Sequence, residues 1–197
     1  MRSRTRNAPV HRRGSRLSLT VTSETTSPEG VIALQVIGGT AAVFGDYLAA
    51  DTVLPARFGF LPAGEAVAHV LEEAGSDANA RVRAHPILVV GEAFGYGTGR
   101  ESPARALRAA GVRAIVAASF GRMFYRNAIN NGILAVECPA LVRAGVADGE
   151  ALEVDARGAA VRWKGRKFGI AAVPELLQRI VLAGDLITHG RNLLRAP

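Results

Sequence analysis

An α/β fold is predicted by three observations: short apolar runs of strand length, helix-length segments alternating with them, and turn residues at the junctions. The runs are Pro86–Val90, Arg113–Ala118 and Ile133–Val136. Between them lie two helical stretches, Ser102–Ala110 closed by Gly111 and Gly121–Asn130 closed by Asn131-Gly132. Strand and helix alternating over residues 86–136 predict parallel β-α-β units, with the loop after Val90 at a strand's carboxyl end.

The flanks read differently. Val31–Ile37 and Ala41–Phe44 predict two strands with Gly38-Gly39 between them. Gly45–Phe60 carries turn residues and Pro55, so a loop with short ordered pieces is expected. Val67–Ala74 predicts a helix stopped by Gly75. Toward the other end, Glu150–Asp155, Ala159–Trp163 and Lys167–Ala171 are short strands parted by Gly158 and Gly165, the pattern of a β-meander. Pro174–Ala183 predicts a last helix, with Pro174 in its first turn and Gly184 after it.

The chain has 197 residues and a formal charge of +7, with a pI near 10.6. That charge is local. Arg2, Arg4, Arg6, Arg12, Arg13 and Arg16 fall in the first sixteen residues, which hold no acid; without these six, 18 basic residues face 17 acidic ones. Residues 1–30 therefore read as a flexible basic tail, and 31–197 as one domain of nearly neutral charge. Nucleic-acid binding would rest on the tail alone and is not expected. Arg12-Arg13 lacks the apolar stretch of an export signal, and no apolar run is long enough to span a bilayer, so a cytoplasmic location is expected. The single cysteine, Cys138, beside Pro139, reads as a small buried hydrophobe. One thiol cannot hold a metal cluster.

The chemistry concentrates after Val90, in Gly91-Glu92-Ala93-Phe94-Gly95-Tyr96-Gly97-Thr98-Gly99-Arg100. A strand, a glycine-rich loop and a helix start form an anion site, because unpaired N–H groups and the helix dipole favour phosphate or carboxylate. The loop lacks the G-x-G-x-x-G of a dinucleotide fingerprint and the G-K-[ST] of a phosphate loop. A loop chosen only for tight turning is the remaining alternative. Arg100, a planar fork for bidentate binding, and the adjacent hydroxyl of Thr98 favour a carboxylate.

Phe94-Gly95-Tyr96-Gly97-Thr98-Gly99-Arg100-Glu101 resembles the F-G-x-G-S-S-R-E signature of the swivelling domain of the aconitase and isopropylmalate isomerase family. Gly45–Phe58 is similar to that family's G-D-N-I-D-T-D-x-I-I-P-A-R-Y, and Ser119–Gly132 to S-F-A-R-I-F-F-R-N-A-I-N-x-G. The resemblance runs in order over about residues 31–190. It implies a three-layer β/β/α swivelling domain of the small-subunit type. It also implies a hydro-lyase that dehydrates and rehydrates a hydroxy di- or tricarboxylate, active only with a separate large subunit carrying a [4Fe–4S] cluster. No cofactor is expected on this chain itself.

Position by position, the resemblance makes Thr98 the base that takes the proton α to a carboxylate, with Asp51 as an orienting or electrostatic partner. It makes Arg100 the carboxylate-binding residue, with Gly97 and Gly99 beside it and Arg57 of the P-A-R motif as either a further substrate contact or a structural residue. Asn127 and Asn130 are expected to fix the turn after their helix, and Arg122 and Arg126 to line the subunit interface or face solvent. The departures are a threonine at 98 and a glycine at 99 where the family has two serines, Ser102 in place of a common histidine, and Ala50 in place of a threonine. They suit a relative with a different hydroxy acid, such as a homoaconitase-like or specialised dehydratase subunit. A catalytically degenerate binding or regulatory module is the reading from another class.

Overall fold

Three consecutive four-residue runs build one half of the sheet. Ile87–Val90 (β2) and Ala114–Ala117 (β3) are buried at every position, and Leu134–Glu137 (β4) at all but its last. Strands without an alternating polar face must be covered on both sides, which is the environment of a parallel sheet. The computed structural model, which describes residues 36–195, pairs β2 with β3 and β3 with β4 in parallel. The expected tail over residues 1–30, and the start of the expected strand Val31–Ile37, lie outside the described residues.

Ile37–Val43 (β1) joins two kinds of pairing. Its second half runs parallel to β2, while its first half runs antiparallel to Ala151–Asp155 (β5). Ala160–Trp163 (β6) and Arg166–Gly169 (β7) continue as the expected meander. The sheet is thus continuous, in the order β4-β3-β2-β1-β5-β6-β7. The α/β class holds, and the two β blocks are halves of one hydrogen-bonded sheet.

Gly38-Gly39 is a correction. The pair sits inside β1 and makes no turn. A Cβ on Gly39 would lie 2.4 Å from Cγ of Pro86, so glycine is there for close approach of the neighbouring strand's lead-in.

The helices Ser102–Ala109 (α4) and Arg122–Asn130 (α5) match the expected segments, as does Glu175–Ala183 (α7), which ends at Gly184 with φ +97°. The expected helix over Val67–Ala74 does not form. A short helix Ala63–Ala66 (α2) passes into a 3-10 turn, Val67–His69, and Leu71 takes φ +55°. Tertiary bonds override helical periodicity here. The Leu71 N–H donates to the carbonyl of Val53 at 2.9 Å, and Asn79 Nδ2 donates to the carbonyls of Val67 and Val70. The remaining helices, Ala50–Val53 (α1), Ala78–Ala84 (α3), Pro139–Arg143 (α6) and Leu186–Arg195 (α8), are short or lie beyond the periodic segments; α1 falls within the loop expected to hold ordered pieces. No helix among the described residues is long and apolar enough to cross a membrane.

Cys138 is buried as expected, and burial pushes its thiol pKa up. The carboxyl end of β1, which leads into the first functional loop, is held by an ion pair. Asp148 accepts from the Val43 N–H at 2.9 Å and from Arg81 Nη2 at 2.7 Å, and that same Nη2 donates to the Val43 carbonyl. The Arg81 hydrogen bond holds the Asp148 carboxyl below its usual pKa. A depressed acid contributes stability that is present above the unfolded-state pKa, near 3.9, and is lost as pH falls through the folded value. Asp148→Asn should therefore cost about 1 kcal/mol at pH 7, the charged hydrogen bonds being discounted for partial exposure. Its chemical denaturation midpoint should converge on that of the unmodified chain below pH 4, and a constant gap from pH 7 to pH 3 would contradict this assignment.

Candidate active site

Three loops leave the carboxyl ends of β1, β2 and β3 and meet side by side, where ligands bind in open α/β sheets. Main-chain bonds stitch them together. Gly91 N–H donates to the Gly45 carbonyl, Gly95 N–H to Leu48, and Ala50 N–H to Tyr96, joining the first loop to the glycine-rich one. Phe94 N–H donates to Ser119 and Gly121 N–H to Phe94, joining the glycine-rich loop to the third. The Asp46 and Ser119 side chains add bonds to the N–H groups of Glu92 and Ala93 at 2.8 and 2.9 Å.

Gly95 is the steric centre of this arrangement. It has φ +75°, and a Cβ there would lie 2.1 Å from Cγ of Phe124. The Phe124 ring, buried and edge-on to Phe94 at 4.9 Å, fills the space a side chain would take. Any other residue at 95 would have to displace a core aromatic.

Within the frame, Arg100 Nη2 pairs with Asp51 Oδ1. Asp51 is in α1, so an ion pair spans the first two loops. Thr98 turns its hydroxyl back on the same segment, and Oγ1 accepts from the Arg100 N–H at 3.3 Å. Gly97 and Gly99 flank it, Gly97 with φ +99° and open space beyond its Cα, Gly99 with Met123 3.8 Å from where a Cβ would sit. No side chain caps the first turn of α4, which leaves N–H groups at the helix start for an anion. The structure thus puts Thr98, Gly97, Gly99 and Arg100 on one loop segment and joins Asp51 to it: a guanidinium paired with a carboxylate, and a hydroxyl held on the main-chain N–H of the same arginine.

Arg57 stands apart from that group. Nη2 reaches Glu72 Oε1 at 2.5 Å and Nη1 reaches Glu73 Oε1 at 2.9 Å. The hydrogen bond to Glu73, ahead of the one to Glu72, pushes its pKa up. Its guanidinium also lies 4.6 Å over the ring of Phe58, which stacks on His69 at 3.6 Å. These contacts anchor the apolar turn Phe58–Leu61, whose tip, Phe60, is 99% exposed. That turn abuts the site, since a Cβ on Gly59 would lie 3.2 Å from Ser102 Oγ and 3.6 Å from Arg100 Nη1.

Asn127 is a further correction. Its Nδ2 donates to the carbonyls of Gly99 and Arg100 at 3.1 and 3.0 Å. The end of α5 is tied instead by Asn131, which bonds the Asn127 carbonyl and Glu101 Oε1. An asparagine near a helix end reads as a stop signal, so only the fold shows its reach. Arg122 and Arg126, both exposed, border a groove of about 350 Å³ with Phe120, Tyr125, Val136 and Glu137. Burial, and then the Glu137 charge, push the Tyr125 pKa up.

An iron–sulfur cluster does not fit this chain's donor set. Its one cysteine is buried beside Gly169, and among the described residues no three His, Cys, Asp or Glu gather as metal ligands.

Residues 65–141 match the family model of the aconitase C-terminal domain. The 3-isopropylmalate dehydratase small subunit of Moorella thermoacetica is 38% identical over 157 residues, covering 78% of this chain and 94% of the relative. The 2,3-dimethylmalate dehydratase small subunit of Eubacterium barkeri is 36% identical over 154 residues, with 77% and 94% covered. The crystal structure of 3-isopropylmalate dehydratase LeuD from Methanocaldococcus jannaschii superposes with a TM-score of 0.71 at 28% identity, over 81% of this chain and 97% of that one. Glycine loop, paired arginine and similarity over about four-fifths of the chain agree: the chain belongs to the aconitase-type family of 3-isopropylmalate dehydratase small subunits.

Proposed function

We propose that this chain is the small subunit of a heteromeric hydro-lyase, supplying the proton-transfer and carboxylate-binding side of a site completed by a large subunit. The observation that carries the reading is the Arg100–Asp51 pair at the loop junction, with the Thr98 hydroxyl accepting from the Arg100 main-chain N–H. Arg100 takes a substrate carboxylate on its planar fork, with Asp51 fixing the fork's direction. Thr98 Oγ1 takes the proton α to that carboxylate on dehydration and returns it on hydration. A free hydroxyl is a weak base. The Arg100 N–H, the guanidinium charge, the α4 dipole and exclusion of water by the partner all favour its anionic form. A [4Fe–4S] cluster on the large subunit would supply the Lewis acid for the substrate hydroxyl.

The turn Phe58–Leu61 supports an alkyl-substituted hydroxy diacid over a third carboxylate, because an apolar turn with an exposed phenylalanine at its tip meets Arg100 through Gly59. The names of the relatives, isopropylmalate and dimethylmalate dehydratases, describe diacids of that kind. A role in leucine biosynthesis would follow if the substrate is 3-isopropylmalate. A cytoplasmic heterodimer, with residues 31–197 as the working unit, completes the reading. In it Arg57 acts on the substrate through the turn it anchors.

Three outcomes test it with the reconstituted pair, assayed on a panel of hydroxy di- and tricarboxylates. Thr98→Ala should lower kcat by about 10²–10⁴-fold with assembly intact, and Thr98→Ser should keep most activity; near-normal turnover in the alanine variant removes Thr98 as the base. Arg57→Ala should raise KM with little change in kcat. Glu72→Gln with Glu73→Gln should do the same, whereas a normal KM in that double variant would make Arg57 a direct contact. Deleting residues 1–30 should leave both assembly and turnover unchanged, and a loss of either would put the tail inside the working unit.

A further inference from the structure

We infer that Asn127 is a positioning residue that aims the Arg100 N–H at the Thr98 oxygen; this rests on the reading of Thr98 as the base. The geometry runs through one peptide plane. The Gly99 carbonyl and the Arg100 N–H belong to the same peptide unit, and no peptide bond among the described residues is cis. In a planar trans unit the C=O and N–H point in opposite directions. Holding the carbonyl therefore sets the direction of the N–H.

Asn127 Nδ2 takes hold of that carbonyl at 3.1 Å and of the next one, Arg100, at 3.0 Å. Both hydrogens of one amide nitrogen are used, and two successive peptide planes are fixed from one side. On the far side of the first plane, the Arg100 N–H meets Thr98 Oγ1 at 3.3 Å. An N–H held on a hydroxyl oxygen that becomes anionic when it loses its proton stabilises that anion without reorganising during the reaction.

The clamp is supported from behind. Phe124, one turn before Asn127 on α5, is locked into the hollow at Gly95, and residues three apart share a helix face. Asn131 holds Glu101, the next residue of the loop. The arrangement also gives Gly99 a meaning. Glycine has no side chain to hold this stretch of loop and is the most permissive backbone unit, so orientation of its carbonyl depends on an outside donor.

The test compares Asn127→Ala with Asn127→Asp in the reconstituted complex. Asparagine and aspartate match in shape, but the carboxylate turns an oxygen toward two carbonyl oxygens. A packing role predicts that aspartate is the milder change; the aiming role predicts that it is the more severe. Asn127→Ala should lower kcat by about 10²–10³-fold with KM changed only a few-fold. The rise of activity with pH should move to higher pH, since the Thr98 anion loses a donor. Amide exchange of the 98–101 segment in the full chain should speed up with the rest of α5 still protected, and this reads the clamp whether or not Thr98 proves to be the base. Normal kcat, pH profile and exchange in Asn127→Ala would overturn the inference, as would a kcat loss no larger than the loss of assembled complex. If Thr98→Ala is fully active while exchange at 98–101 still rises in Asn127→Ala, the base reading fails and the clamp stands.

Discussion

Everything at the loop junction depends on one steric contact, the Phe124 ring seated where a side chain at residue 95 would be. That seat draws α5 against the glycine-rich loop closely enough for main-chain bonds to form between Phe94 and residues Ser119 and Gly121. It also sets the axial position of α5, and thereby which later residue faces the loop. Asn127 meets the Gly99 and Arg100 carbonyls because Phe124 is already fixed one turn earlier. From the other direction, the Asp51–Arg100 pair closes the loop onto α1. A hydroxyl, a guanidinium and a helix start are thus held by packing as much as by their own bonds, which keeps a polar site ordered without burying charge.

Much of this was legible beforehand, for identifiable reasons. Strands β2 to β4 announce themselves because both of their faces are covered, leaving uninterrupted apolar runs. Helices α4 and α5 end at glycines or asparagine that are hard to misread. The segments that misled are those where a tertiary contact decides the backbone. Gly38-Gly39 resembles a turn, but glycine serves there to admit Pro86. The stretch from Val67 has helical spacing, yet the bond from Leu71 to Val53 turns the chain aside. Neither partner is near in sequence, so no local window contains the cause.

The site divides along the same line. Arg100, Thr98 and Asp51 carry recognisable motifs and are found together. Arg57 has the motif too, but Glu72 and Glu73 engage its guanidinium, and acids fifteen and sixteen residues away do not show as partners until the turn folds. Asn127 was hidden for the opposite reason: the residue type is ambiguous, and its bonds to the Gly99 and Arg100 carbonyls form only once α5 packs against the glycine-rich loop. Motifs locate the arginine, hydroxyl and carboxylate of the loop junction. The side chains that hold the loop come from elsewhere in the fold.

The double pairing of β1 bears on how the chain comes to be folded. Its parallel partner lies some fifty residues downstream, but its antiparallel partner, β5, is more than a hundred residues away. Contacts of such long range close slowly, because the entropy of a large loop must be given up before they form. During synthesis the strand emerges early and one of its edges has no mate until β5 appears. An open edge of that kind is a template for pairing with another chain. The strand that unites the two halves of the sheet is therefore also where a nascent chain is most exposed to misassembly.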